Sequence, residues 1–264
     1  DYYKSIGVAK VFLYDNYHQG EERLIDVVQP YIDEGFVELN DYHDREFAQC
    51  PAYNDCYNRH GHEYAWIGFF DIDEFLRIKG KNIEDFMERY TAGSVLLVNW
   101  RIMTDNGLVH YDPRPVQERF TQPAEDLKPE TQFVKSFVRS GIEGLSFDKD
   151  PHMPHHPALE VVNPDGGKAP QCSVGTGSRE VAWIDHHFTK TAEEFAQKVS
   201  RSWPAIHDER IIEKEKNAAN HFFRFNERTA EKEAILGVAA KPQPAEKADG
   251  KPKTQKRKVS KKQK

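Results

Sequence analysis

The sequence predicts an α/β domain, a Rossmann-like mixed sheet flanked by helices, and three observations carry that prediction. Two short apolar runs, residues 8–14 and 36–39, enclose an amphipathic stretch at 21–34. Strand, helix and strand joined by short connections form the signature of a parallel crossover unit. Residues 64–70 are apolar apart from Gly68 and run straight into Asp71, Ile72 and Asp73. An apolar run of that length without alternation predicts a strand buried on both faces, the kind found in parallel sheets. Finally, residues 94–100 read as a second buried strand, and 180–184 as another that ends on Asp185, His186 and His187.

Taken in order, residues 1–5 predict the end of a helix stopped at Gly7, and the first strand ends at Asp15 and Asn16. Leu24, Val27, Val28, Tyr31 and Ile32 fall at helical spacing before Gly35. A helix over 45–59 turns Phe47, Ala48, Ala52, Tyr53, Cys56 and Tyr57 inward, with Pro51 tolerated near its start. A short helix is expected over 82–90. Between 101 and 177, prolines and glycines punctuate the chain, with 131–138 and 159–162 as strand candidates, and so long an irregular stretch predicts a substrate-side region. Thr191 and Glu194 form a capping box that opens a helix bearing Phe195, Val199 and Trp203 on its apolar side. After Pro204 a charged, helical segment is expected to reach Leu236. The division is therefore a folded domain over 1–236 and a disordered Lys/Pro/Ala/Gln-rich tail over 237–264.

At 264 residues, with 38% hydrophobic and 30% charged residues, the chain can bury one good core under a well-solvated surface. No apolar run approaches the ~20 residues of a membrane span. Three cysteines without metal-type spacing fit a reducing, cytoplasmic setting. The net charge of −6 hides an asymmetry: the residues from 241 onward carry +8, so the preceding 240 carry −14. An acidic body excludes general nucleic-acid binding, whereas the tail predicts contact with an anionic membrane surface.

The chemistry centres on Asp71 and Asp73. Residues i and i+2 of an extended segment point to one side, so both carboxylates are expected in the crevice beyond the strand ends. Paired hard oxygens suit Mn²⁺ or Mg²⁺. A second Asp-x-Asp, Asp148 and Asp150, has no apolar strand before it and carries less weight. His186, at a strand end, is either a third metal ligand or a hydrogen-bonded cap. His152, His155 and His156 form the densest imidazole cluster, but rigid prolines and the lack of a nearby cysteine argue against zinc. Lys135 and Arg139 alternate with apolar residues, so they either meet phosphate or form a strand's solvent face.

Four stretches taken together, VFLYDN, AYNDCYNRHGHEYAWIGFFDIDEFL, VNWRIMTDNGLVHYDPRPVQERF and IDHHFTKTAEEFAQKVSRSW, resemble glycosyltransferase family 92 and its family-2-like bacterial relatives over residues 1–203. The resemblance implies a GT-A fold, a nucleotide-sugar donor, a divalent metal and inversion at the anomeric carbon. Position by position it implies metal and diphosphate roles for the DXD pair Asp71 and Asp73, and a nucleotide-side position for Asp15. Lys135 and His152 match donor-side segments, and His186 matches the histidine of a His-Tyr pair, with His187 in the tyrosine position. Lys190, Glu194, Phe195, Lys198 and Arg201 fit the helix that follows. Two departures stand out: Ile102, Met103 and Thr104 replace Phe-Gly-Ser, and the relatives' first strand, which carries Asn-Glu, is missing from the sequence.

The reaction so implied is transfer from a nucleotide sugar, expected to be a UDP-sugar, to a glycan or lipid-linked hydroxyl. Its general base is open among Asp150, Glu118 and Asp185. Two rivals remain: a metal-dependent phosphodiesterase, and a degenerate transferase fold that only binds a partner.

Overall fold

The structure, a computed structural model, describes residues 1–18, 20–80, 82–125, 129–148, 150–175, 177–200 and 217–237. Helix α1 (Tyr2–Ser5) leads into β1 (Val11–Asp15), and α2 (Ile25–Asp33) crosses over to β2 (Val37–Asp41). These two strands pair in parallel, Val11 opposite Val37 and Asp15 opposite Asp41, so the predicted crossover unit forms as a sheet of its own. Helix α3 (Gln49–His60) then returns to β3 (Trp66–Gly68), followed by β4 (Glu74–Ile78), α4 (Ile83–Met87) and β5 (Val95–Ile102). Asn82 caps α4 by accepting from the Asp85 N–H at 2.8 Å.

The irregular middle holds α5 (Val116–Arg119), a 3₁₀ turn at Pro129–Gln132, β6 (Val134–Arg139) and β7 (Val161–Val162). Strand β8 (Ala182–His186) and helices α6 (Ala192–Ser200), α7 (Ala218–Phe222) and α8 (Ala230–Ile235) complete the domain. The expected position of Trp203 and the basic tail from 241 lie outside the described residues.

The main sheet runs β3-β6-β5-β8-β4 and is mixed: β5 is antiparallel to β6 and parallel to β8, and β7 adds to the start of β5. Strand β5 is its axis. Val95 and Leu97 face one core with Val138, Phe147 and Met153. Leu96 and Val98 face the other with Leu76, Phe86 and Ile184. Cores on both faces explain why this strand reads as a continuous apolar run. A third cluster of Phe188, Ala192, Phe195, Ala218 and Phe222 seats α6 against α7.

One expectation is corrected. The run 64–70 is not a long central strand in a parallel sheet. Only Trp66–Gly68 is extended, at the sheet edge and antiparallel to β6. A side chain at Gly68 would place its Cβ 2.6 Å from the Phe137 ring and 2.5 Å from that of Phe70, so the two rings close over the backbone there. The run is apolar because its side chains serve both cores: Tyr64, Ile67 and Phe69 pack in one, and Trp66 and Phe70 pack against the other. Asp71 and Asp73 accordingly lie on the turn between β3 and β4, with Ile72 pointing out at 79% exposure.

Candidate active site

The turn is fixed by a reciprocal pair of hydrogen bonds. Glu74 donates its backbone N–H to the Asp71 carbonyl at 3.0 Å, and Asp71 donates its own to the Glu74 carboxyl at 2.9 Å. At its far end, the His187 N–H donates to the Asp73 carbonyl at 2.9 Å, tying the turn to the end of β8. Two carboxylates are thereby held together without an extended strand beneath them.

Each has its own ammonium. Lys135, the second residue of β6 and wholly buried, places Nζ 3.0 Å from Asp71 Oδ1, 3.7 Å from Glu74 Oε2 and 3.4 Å from the Tyr53 hydroxyl. Gln49, at the first turn of α3, and Tyr53 one turn on also donate to Asp71 Oδ1. Lys198, from α6, donates to Asp73 Oδ2 at 2.8 Å. His186 Nε2 stands 3.5 Å from Asp73 Oδ1.

Burial opposes ionisation of both aspartates, but the lysines prevail. Lys135 holds Asp71 below the usual carboxylate range, and Lys198 with His186 holds Asp73 well below it. Glu74 goes the other way. Complete burial drives its pKa well above the usual value, only partly offset by Lys135, while Asp71 adds to the rise. Lys135 stays charged despite burial because Asp71 and Glu74 face it. The cluster thus sets three acids against two ammoniums, with Glu74 the most reluctant of the three to ionise.

Trp100 joins two imidazoles to this group. Its ring lies 4.2 Å from His186 and 5.0 Å, edge-on, from His152. His152 donates Nδ1–H to the Val134 carbonyl at 2.8 Å, which leaves Nε2 unprotonated in the neutral ring. Burial first and the Lys135 ammonium second push its pKa down to about 4. Burial likewise lowers His187 to about 4, with Phe75 packed edge-on against its ring.

The remaining candidates are spread more widely. Asp150 accepts the His152 N–H at 2.9 Å and so lies beside the cluster. Asp185, next to His186 and therefore on the other sheet face, accepts from Arg77 at 2.7 Å, Arg101 at 2.8 Å and Trp183 at 3.0 Å. Glu118 is exposed on α5. Asp15, at the end of β1, accepts from Arg23 and from the Leu24 N–H at 3.2 and 3.3 Å, near a cleft of about 420 Å³ lined by Tyr17, Arg23, His43 and Asp44. Lys190 sits in the loop before α6 with a φ of +50°. Glu74, Gln49, Tyr53 and Trp100 join the cluster without having been anticipated. Only Glu74, directly after the acidic pair, gave a hint in its position.

Asp71, Asp73 and His186 offer oxygen and imidazole donors of the type Mn²⁺ accepts. Among the described residues, however, no three His, Cys, Asp or Glu side chains converge to hold a metal ion. Lys135 and Lys198 are the cations facing the carboxylates.

The model of glycosyltransferase family 92 matches residues 1–142, from α1 through β6. The chain belongs to that family. The curled mixed sheet with flanking helices is accordingly a GT-A-like fold. Asp71, Asp73, Glu74 and Lys135 fall within the family-92 match, whereas His186 and Lys198 lie beyond it. The chain is also similar to galactan β-1,4-galactosyltransferase GALS3 of Arabidopsis thaliana, 32% identical over 84 residues that cover 28% of this chain. That stretch is 17% of the relative's own length, so the chain spans only a small part of the curated family-92 protein it matches.

Proposed function

We propose that this chain transfers a sugar from a UDP-sugar to a glycan hydroxyl with inversion at the anomeric carbon. The observation that carries the reading is the convergence of Asp71, Asp73, Lys135, His186 and Lys198 at the sheet end. A departing nucleoside diphosphate needs positive charge where its negative charge develops, and preorganised cations supply it without reorganisation. Lys135 holds such charge in the sheet, and Lys198 adds a second ammonium beside Asp73.

By donor chemistry, Asp73 and His186, 3.5 Å apart, would hold Mn²⁺ together with phosphate oxygens of the nucleotide, with Asp71 adding negative charge beside them. Bound there, the ion would act as a Lewis acid toward the diphosphate. Of the three candidate bases we assign Asp150, because it lies beside His152, whereas Asp185 is engaged by two guanidiniums. In this scheme the base removes the acceptor hydroxyl proton, the oxygen bonds to the anomeric carbon, and the bond to phosphate breaks with its electron pair leaving on the diphosphate. The name of the Arabidopsis relative makes UDP-galactose and a β-1,4-galactan oligosaccharide the first pair to test.

The test is transfer of radiolabelled galactose to that oligosaccharide by the parent and by Asp73→Asn, with and without EDTA. Metal-dependent product from the parent and none from the variant is expected. Full activity after EDTA would remove the metal from the scheme. UDP binding without transfer to any glycan would favour a binding module instead.

A further inference from the structure

The two ammoniums of the site are not equivalent. Lys135 is wholly buried in the sheet, with Asp71, Glu74 and Tyr53 around its Nζ. Lys198 has a side chain 36% exposed, against 13% for its partner Asp73. Among the described residues it also meets the Phe188 carbonyl at 3.4 Å and the face of the Phe188 ring at 4.8 Å. One cation is locked in the sheet and the other reaches solvent.

The backbone beneath Lys198 is rigid while its arm is free. Thr191 and Glu194 cap α6 reciprocally: the Glu194 N–H donates to Thr191 Oγ1 at 3.1 Å, and Thr191 donates back to the Glu194 carboxylate. Arg119 holds that carboxylate from α5 at 2.8 Å, and Phe195 is buried against Phe222. Four rotatable side-chain bonds therefore swing from a fixed Cα, which suits a lysine to serve two partners in turn.

We propose that Lys198 is a positioning counter-ion that exchanges partners. Without nucleotide it neutralises Asp73, and with a nucleoside diphosphate present it leaves Asp73 and donates to phosphate oxygens. This rests on the nucleotide-sugar reading of the site. Asp73 then gains a free oxygen as the diphosphate arrives, so a divalent cation and the nucleotide enter together. In the absence of nucleotide, Lys198 and a metal ion compete for the same carboxylate, because two cations at one oxygen repel.

Lys198→Met should accordingly move two affinities in opposite directions. Mn²⁺ binding without nucleotide, read by electron paramagnetic resonance of the free ion, is expected to tighten. UDP binding in the presence of Mn²⁺, read by calorimetry, is expected to weaken by about tenfold, the loss of one charge-assisted hydrogen bond. Uridine affinity should stay the same, and Lys198→Arg, which keeps the charge, should recover most of the UDP affinity. A thermal melt establishes that each variant folds. If Lys198→Met left both affinities unchanged, or weakened both together, the exchange would be refuted while UDP binding by the parent still upheld the nucleotide reading. A parent that bound no UDP would overturn the reading and the inference together.

Discussion

Glu74 faces His186 directly across the β4–β8 ladder, and from that position its carboxyl accepts the backbone N–H of Asp71 at 2.9 Å. A completely buried acid thus braces the turn that presents Asp71 and Asp73. Glu74→Gln keeps an acceptor for that N–H and the neutral state that burial favours, so it should cost less than about 1 kcal/mol. Glu74→Ala removes the acceptor and leaves a cavity, and should cost about 2–4 kcal/mol. Urea denaturation distinguishes them. Equal losses would mean that a charged Glu74 paired with Lys135 is what the fold requires.

Asp185 offers a contrast with its neighbour His186. Because Arg77 and Arg101 both converge on it, Asp185→Asn strands two guanidiniums at a mostly buried position. Stability should fall by about 3 kcal/mol, the usual range for breaking a buried pair. If the variant melted like the parent but lost transfer, Asp185 rather than Asp150 would be the base.

His152 should remain neutral through the physiological range. Its folded pKa of about 4 lies below the ~6.5 of an unfolded histidine. Above pH 6.5 both states are neutral and the group contributes nothing. As pH falls from 6.5 to 4 the unfolded chain takes up a proton that the folded one refuses, so stability drops by about 3 kcal/mol across that window. NMR titration of the ring should give a midpoint near 4, and His152→Asn should flatten that part of the stability profile. A midpoint near 6.5 would place the ring in water instead.

Gly68→Ala should destabilise the β3 edge by about 1–3 kcal/mol, because the added methyl enters the space of the Phe70 and Phe137 rings. Pairing the substitution with Phe137→Leu should recover part of the loss if ring contact is the cause. No recovery in the double variant would point to the backbone.

Much of this architecture is written locally in the chain. The elements of the first crossover unit, strand β5 and the Thr191–Glu194 cap each show in a short contiguous run of residues, where periodicity and capping chemistry can be read. Asp71 and Asp73 stood out because two acids follow an apolar run. Their partners did not, because the contact of Lys135 with Asp71 depends on the antiparallel pairing that sets Gly68 opposite Phe137. No local pattern encodes that register. The long strand expected over 64–70 failed for a related reason: side chains that serve both cores look, in sequence, like a strand set between two others, whereas β3 pairs with β6 alone among the described residues.

The distances along the chain have a consequence for assembly. Asp73 is synthesised 125 residues before Lys198. Until β8 and α6 have emerged and docked, Asp73 has neither its ammonium nor its imidazole, and the turn lacks the His187 N–H that anchors it. Closing so long a loop is slow compared with forming the β1–β2 unit. Between those two events Asp73 is an acid without its cation, on a turn without its anchor. The cluster around Asp73 is completed in a single step, when β8 slots in between β5 and β4 and brings α6 behind it.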